Sequence, residues 1–369
     1  MSGLTKRICH ITTVHPRNDI RIFQKECLSL SSIYSVYLVV ADGKGNEIKD
    51  NVRIIDVGKN NNSRFKRILL TTARAYKKAL EIDCDLYHFH DPEFLFYGWK
   101  LARMGKKVIY DVHEDVPKQT LSKEYINPVF RKLLAFSIGI IERVISSRLS
   151  SIVTVTESIN NRFLHFNKSC VVINNFPDTA NFIPSQNMIR SGICYVGNIS
   201  SIRGIDYIMD SLEFSDVVLH LAGEFETDHY KRKIQFHPFW HKVKYYGSVD
   251  FHKAQEIFQD SSAGLVTYLP VPNHIEAQPN KMFEYMACAT PVIASDFPLW
   301  KNIIEANNCG ICVNPTDSKN IADAINSIVK DPEKATKLGV NGQRVVKDKY
   351  NWKTESVKLK VLYSELIPK

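Results

Sequence analysis

The chain lacks any long apolar run. Its most hydrophobic stretch, Leu133 to Ile145, is broken by Glu142 and falls well short of the ~20 residues needed to cross a bilayer. No apolar segment follows Met1 either. Lys6 and Arg7 lead straight into a short β pattern, so neither a secretory signal nor an integral membrane protein is expected. Cysteine is present but unpatterned: eight are scattered along 369 residues, most inside apolar runs, as reduced, buried thiols of a cytoplasmic protein would be. Cys309-Gly-Ile-Cys312 stands alone, without the second ligand pair of a zinc site or the strand-to-helix setting of a redox motif. G-x-G-x-x-G is absent from both strand-to-helix junctions where a dinucleotide fold would carry it, which argues against a dehydrogenase. No low-complexity segment, short-period repeat or recognisable nucleic-acid module occurs, so nucleic acid is not an expected partner.

What remains is an ordinary globular composition, 44% hydrophobic and 24% charged, in a chain long enough for two domains. The charge is uneven. Residues 1–184 hold 27 Lys+Arg and 18 Asp+Glu, a surplus of 27 − 18 = +9, which is the whole net charge of the protein. Such an imbalance bears on partners rather than on fold.

Short β runs alternate with helical patterns throughout, the signature of βαβ units and a parallel sheet. In the first half, strands are predicted at Arg7–Val14, Tyr34–Ala41, Val52–Val57, Asp85–His90, Lys107–Val112, Ser151–Thr156 and Val171–Asn174. Helices are predicted between them, among them Ile20–Ser32, Phe65–Glu81 and Pro128–Ser147. Asp91-Pro92 reads as a helix opening, with a capping side chain and proline in the first turn. A polar, proline-containing break at Asn174–Ser191 separates this half from a second run of the same alternation. Two α/β domains follow, 1–178 and 185–352.

The stretch Pro270–Ser295 concentrates the chemistry. Glu276 and Glu284 stand eight positions apart around a helix start. Pro279 suits the first helical position, so the amides of Asn280, Lys281 and Met282 would form an anion-binding helix end, reinforced by the Lys281 charge. A phosphate cradle flanked by carboxylates suits a sugar nucleotide. The alternative is a surface helix start with two solvated acids. Upstream, Tyr195-Val-Gly197-Asn198-Ile-Ser-Ser-Ile-Arg203 follows the first strand of the second half. Arg203 and Lys281 together could serve a diphosphate, one bidentate and one as a point charge. In the first half, His88-Phe-His90-Asp91 and Asp111-Val-His113-Glu114-Asp115 end neighbouring strands, where an open parallel sheet lines its ligand crevice. Metal binding, general base action and sugar-hydroxyl binding all fit these residue types; His90, Asp91 and Glu114 could equally be helix caps or internally bonded groups.

Glu276-x7-Glu284 followed by Tyr-Met-Ala-Cys-Ala-Thr-Pro-Val-Ile-Ala-Ser closely resembles the carboxyl-terminal signature of family 4 retaining glycosyltransferases. That resemblance implies the GT-B fold: two doubly wound, Rossmann-like parallel-sheet domains facing a cleft, with a last helix, about 353–369, crossing back onto the first. It implies a nucleotide-sugar donor, no metal cofactor, Glu276 on the transferred sugar, Glu284 on the ribose and His113 at the sugar end of the donor. The family usually places an arginine after Gly197; this chain has Asn198, leaving Arg203 and Lys281 for the diphosphate. The first loop, Thr12-Thr-Val-His15-Pro16-Arg17-Asn18-Asp19-Ile20-Arg21, lacks the glycine-rich turn of many members. It is similar to a bacterial branch with H-P-x-x-D-I-R here, where Arg17 or Arg21 would contact phosphate and Asp19 would cap the next helix. Many relatives build surface polysaccharide on glycan or polyprenyl-linked acceptors. Basic, partly apolar segments at Lys59–Glu81 and Gln119–Ser150 fit peripheral contact with an anionic membrane, or simply amphipathic helices packed on the core. A hydrolysing sugar-nucleotide epimerase and a non-catalytic sugar-nucleotide-binding protein are the competing readings.

Overall fold

The computed structural model describes residues 5–59, 66–122, 126–182 and 190–368. The chain forms two compact units, one comprising 1–175 with 352–369 and the other 176–351. Parts of the basic segments Lys59–Glu81 and Gln119–Ser150 and of the break Asn174–Ser191, namely residues 60–65, 123–125 and 183–189, lie outside the described residues.

The first unit is built on β1 (Arg7–Ile11), β2 (Ser35–Val40), β3 (Glu47–Lys49), β4 (Val52–Asp56), β5 (Leu86–Phe89), β6 (Lys107–Val112), β7 (Ser151–Thr154) and β8 (Cys170–Val172). Their order across the sheet is β3-β4-β2-β1-β5-β6-β7-β8. The pairs are parallel except the edge strand β3, which runs antiparallel to β4 and was not foreseen. The strands are apolar on both faces because helices cover both faces. Side-chain alternation then sorts each strand between two cores. Ile8, Leu86 and Ile109 join one, with Trp352, Leu359 and Tyr363 of the returning helix Trp352–Leu366. Cys9, Tyr87, Phe89, Val108 and Tyr110 join the other.

The helix expected over Ile20–Ser32 is a finding in itself. Its first part, Ile20–Cys27, is wound in wide π-type turns before a short α segment, Leu28–Ser31; the Gln24 amide reaches back five residues to the Asp19 carbonyl. In such turns residues five apart stack on one side. That places Arg21 beside Glu26, Nε to Oε1 at 3.1 Å, in a buried position.

The second unit holds β9 (Ile193–Val196), β10 (Leu219–Ala222), β11 (Val243–Tyr245), β12 (Ala263–Val266), β13 (Val292–Ser295) and β14 (Gly310–Val313). They form a parallel sheet ordered β11-β10-β9-β12-β13-β14, around one apolar core. In each sheet the strand order reverses beside the first strand, between β1 and β5 and between β9 and β12. Those are the switch points at which open α/β sheets bind ligands.

Candidate functional site

In the second unit the chain leaves β9 through Gly197, whose φ of +131° is one that side-chain-bearing residues rarely adopt. Its bareness also makes room: a Cβ there would stand 2.7 Å from Lys281 Nζ. Lys281 extends from the first turn of the helix Asn280–Ala287 to place Nζ 3.8 Å from the centre of the Tyr195 ring and 5.5 Å from that of Tyr268. Arg203 lies over the Tyr268 ring at 4.2 Å. Its approach depends on Gly204, where a Cβ would collide with the Thr267 carbonyl at 1.9 Å. Burial holds the Lys281 ammonium well below the usual lysine range; the Arg203 charge adds to the shift and Glu284 opposes it. The lysine expected as a point charge is half-buried, its ammonium resting on aromatic faces suited to a cation.

Pro279 is not the first helical residue but the capping one, in an extended conformation. The Met282 amide is accordingly not free, since it donates to the Pro279 carbonyl at 3.0 Å, and the Met282 side chain is core. The amides of Asn280 and Lys281 belong to the first turn, where no intrahelical acceptor exists. Glu284 follows one turn later, half-buried, and Asn198 is exposed on the loop after β9. Glu276 is exposed on the connection before the helix. That connection is tied down by the Trp300 indole N–H, which donates to the Ala277 carbonyl at 2.7 Å. Gly197, Arg203 and Lys281 are thus gathered at the switch point with two tyrosines that sequence reasoning missed. Tyr195 and Tyr268, at strand ends in apolar runs, read as core.

In the first unit a buried polar cluster occupies the carboxyl ends of β1, β5 and β6. Arg21 grips Asp111 with two bonds, Nε to Oδ2 and Nη2 to Oδ1, each 2.9 Å, and Nη1 donates to the Ile173 carbonyl. Arg21 is therefore a buried structural cation and not a phosphate contact. Arg17 is likewise engaged, with Asp42, Glu47 and the Gly45 carbonyl. Asp19 does cap its helix, accepting from the Arg21 and Ile22 amides at 2.9 Å. Asp91 makes no cap bond. Its carboxylate instead accepts from the Thr12 hydroxyl at 3.0 Å and from the Thr13 amide and hydroxyl, pinning the first loop. Glu114 is exposed and paired with the Gln119 amide.

His113 sits at the rim with Nε2 3.1 Å from Asp111 Oδ2, and His90 Nδ1 approaches the same oxygen at 3.2 Å. His90 Nε2 meets His10 Nδ1 at 3.0 Å. Tyr363 OH lies 3.1 Å from His10 Nε2 and 2.8 Å from His88 Nδ1. Burial lowers the pKa of His10, His88 and His90, the last to about 4 despite the opposing bond from Asp111. Asp111 is held well below the carboxylate range: burial would raise it, and the Arg21 charge overrides that. Burial and the Asp111 charge push Glu26 well above that range.

His10, Glu26, His88 and His90 offer one ligand atom each within 4.8 Å of one another, as do His90, Asp111 and His113. The His10 and His90 rings, however, are 5.3 Å apart between centres, the 3.0 Å contact plus one ring radius at each end. Their nitrogens thus point at each other along one line, the geometry of an N–H···N bond. A metal would require both lone pairs to converge on a third point. Asp83 and Asp85, at Asp-x-Asp spacing, sit before β5 and are engaged by Lys106 and by the Arg7 amide.

Of the missed members here, His10, Glu26 and Tyr363, the first left a trace in the sequence. On one face Ile8 is followed by His10, Leu86 by His88 and His90, and Ile109 by Asp111 and His113. Three strands change from apolar to polar at the same end.

Two family models match consecutive parts of the chain, glycosyltransferase family 4 over residues 32–181 and glycosyl transferases group 1 over residues 183–345. The MMP alpha-(1->4)-mannosyltransferase of Mycolicibacterium hassiacum is 20% identical over 75% of this chain and 70% of its own length. For other curated relatives the matched share of their length falls to as little as 26%. Among solved structures, sucrose-phosphate synthase from Thermosynechococcus elongatus superposes with a TM-score of 0.78 at 18% identity, covering 98% of this chain and 99% of that one. Anabaena HepE in complex with UDP and glucose gives 0.73 at 15% identity, covering 98% and 100%.

Proposed function

Since this chain belongs to the family 4 glycosyltransferases of GT-B fold, we propose that it moves a hexose, with retention, from a nucleoside-diphosphate sugar to a glycan or polyprenyl-linked acceptor. The observation that carries the reading is the pairing of Arg203 and Lys281 beside bare Gly197 at the β9/β12 switch point. This is a compact cationic seat with two helix-end amides, suited to a diphosphate. As the bond from the anomeric carbon to the leaving oxygen breaks, negative charge grows on that diphosphate, and preoriented donors stabilise it there. Glu276 is assigned to the transferred sugar, Glu284 to the ribose and His113 to a sugar hydroxyl. The seat needs no metal to neutralise the leaving group.

A thermal-shift screen of UDP-, GDP- and ADP-sugars tests the donor. A ligand that binds the native state must raise its melting temperature, and Lys281→Ala should abolish the shift. A flat response to all of them would sink the transferase reading. Release of nucleotide without any acceptor would favour the epimerase.

We assign the membrane-facing surface to the helix Pro128–Ser146. It is anchored inward by Ala135, Glu142 and Ser146; Glu142 pairs with Arg162 at 2.8 Å. Val129, Phe130, Leu133 and Phe136 are 60–75% exposed, beside exposed Lys132, Arg143 and Arg148. No helix among the described residues is long and apolar enough to cross a membrane. An apolar ridge edged by bases suits an anionic surface instead, of the kind on which lipid-linked surface polysaccharide is assembled. Co-sedimentation with phosphatidylglycerol vesicles, lost in Phe130→Glu/Phe136→Glu and absent with phosphatidylcholine, is the expected result. Equal recovery in the supernatant with both lipids would refute it.

A further inference from the structure

We propose that Asp111 is a positioning residue that fixes His113 as the tautomer with its proton on Nε2, so that the bare Nδ1 is presented as an acceptor to a hydroxyl of the transferred sugar. The identity of that ligand rests on the transferase reading; the tautomer does not.

Protons can be counted along one chain of bonds. Asp111 is fully buried and held by two Arg21 bonds, so it is ionised and only accepts. Its Oδ2 lies 3.1 Å from His113 Nε2 and 3.2 Å from His90 Nδ1; both nitrogens must therefore carry hydrogen. Their mutual 3.2 Å approach follows from the shared acceptor. A neutral His90 with its proton on Nδ1 has a lone pair on Nε2, which obliges His10 Nδ1, 3.0 Å away, to donate. His10 Nε2 is then an acceptor and takes the Tyr363 hydroxyl proton at 3.1 Å. The Tyr363 oxygen in turn receives the proton on His88 Nδ1 at 2.8 Å. One lone pair is left over at the far end, on His88 Nε2, and His88 Nε2 is among the buried atoms without a hydrogen-bond partner. Reversing the chain would aim the His90 Nδ1 lone pair at the Asp111 carboxylate in a buried site, which the polarity above avoids.

The other charged groups agree. Glu26 lies 3.8–3.9 Å from His10, His88 and His90; burial and the Asp111 charge push its carboxyl well above the usual range, which disfavours the anion that would draw second protons onto those rings. His15, whose ring centre is 5.1 Å from that of His113, is turned to Asp19 and Asp91 and does not compete for Asp111. For His113 itself this leaves Nε2 facing inward and Nδ1 as the ring's remaining polar atom. With its proton on Nε2 facing inward, the ring accepts from a sugar O–H at Nδ1; the opposite tautomer would offer that hydroxyl only a second donor.

Nitrogen-15 labelling of histidine with long-range proton–nitrogen correlation reads each tautomer directly in the full-length protein. His113, identified by the signals lost in His113→Ala, should show a protonated ε nitrogen and a bare δ nitrogen. Tyr363→Phe, at the far end, should leave that pattern unchanged, because the chain is driven from Asp111. Asp111→Asn, whose amide both donates and accepts, should mix the tautomers and lower kcat about tenfold, with the donor KM within about twofold. A δ proton or a doubly protonated ring on His113 in the native protein overturns the proposal, as does Asp111→Asn with wild-type tautomer and turnover. If Asp111→Asn fails to fold, the native spectrum still decides. The spectrum requires no donor, so an error in the transferase reading would leave its result intact.

Discussion

Burial lowers the pKa of Lys281, and that has a consequence for binding. A diphosphate arriving beside it raises that pKa again, so donor binding should be linked to proton uptake at pH values between the free and bound pKa. Affinity should then weaken as pH rises, because the free protein must first acquire the proton that the complex holds. Calorimetry in buffers of different ionisation enthalpy measures this uptake. Lys281→Arg, which stays charged at every working pH, should bind without it. Gly197→Ala tests the same atom from outside. Its Cβ would stand 2.7 Å from Nζ at an unfavourable φ, displacing a charge-assisted contact of about 1.5–3 kcal/mol. Donor affinity should fall by about 10- to 100-fold, measurable by the same titration. At this scale the sequence was most legible for Lys281 and Arg203, whose motif positions are local. It was least legible for Arg21, where a cation in a polar loop looked available and is buried against a carboxylate ninety residues away. Pairings of that range are set by strand order, not by spacing.

Asp19 governs an element. It accepts two amides at the start of the wide-turned helix Ile20–Cys27 and bonds His15 at 3.1 Å. Burial would raise its pKa, but the His15 bond and the Ile22 amide bring it down to about 2. A carboxyl depressed by folding contributes stability that is full above its unfolded value of about 3.9 and is lost as pH falls toward 2. Asp19→Ala should destabilise by about 0.5–2 kcal/mol at neutral pH through loss of the cap. Asp19→Asn keeps a capping oxygen and should flatten the acid limb between about pH 4 and 2. Urea melts across that range check both. Helix existence was readable here from Asp19 and the apolar spacing. The π-type winding was not, because it is selected by the buried Arg21, Glu26 and Asp111 contacts rather than by local propensity. The edge strand β3 escaped for a similar reason: its three residues are exposed and show no alternation to read.

At the scale of the molecule, both sheets and their parallel order follow from repeated apolar β runs alternating with helical ones, and so were open to reading. The role of the last helix was open only as family resemblance. Trp352, Leu359, Leu362 and Tyr363 complete the core face of the first unit. Trp352 Nε1 donates to Ser29 at 2.9 Å, and Glu355 accepts from the Asn174 amide at 2.8 Å. Losing a buried leucine alone costs about 2–5 kcal/mol, against total stabilities of roughly 5–15 kcal/mol. A chain ending at Asn351 should therefore lose hydrogen-exchange protection in β1, β2 and β5. Protection should persist in β9, β12 and β13, whose core the helix does not share.

That helix also sets an order of events during synthesis. The ribosome must finish the entire second unit before it delivers Tyr363 to His10 and His88. At about 5–20 residues per second the delay is roughly ten to thirty seconds. Through that interval the nascent first unit carries an uncovered apolar face with three histidines at its edge, a natural client for a chaperone that holds unfinished chains.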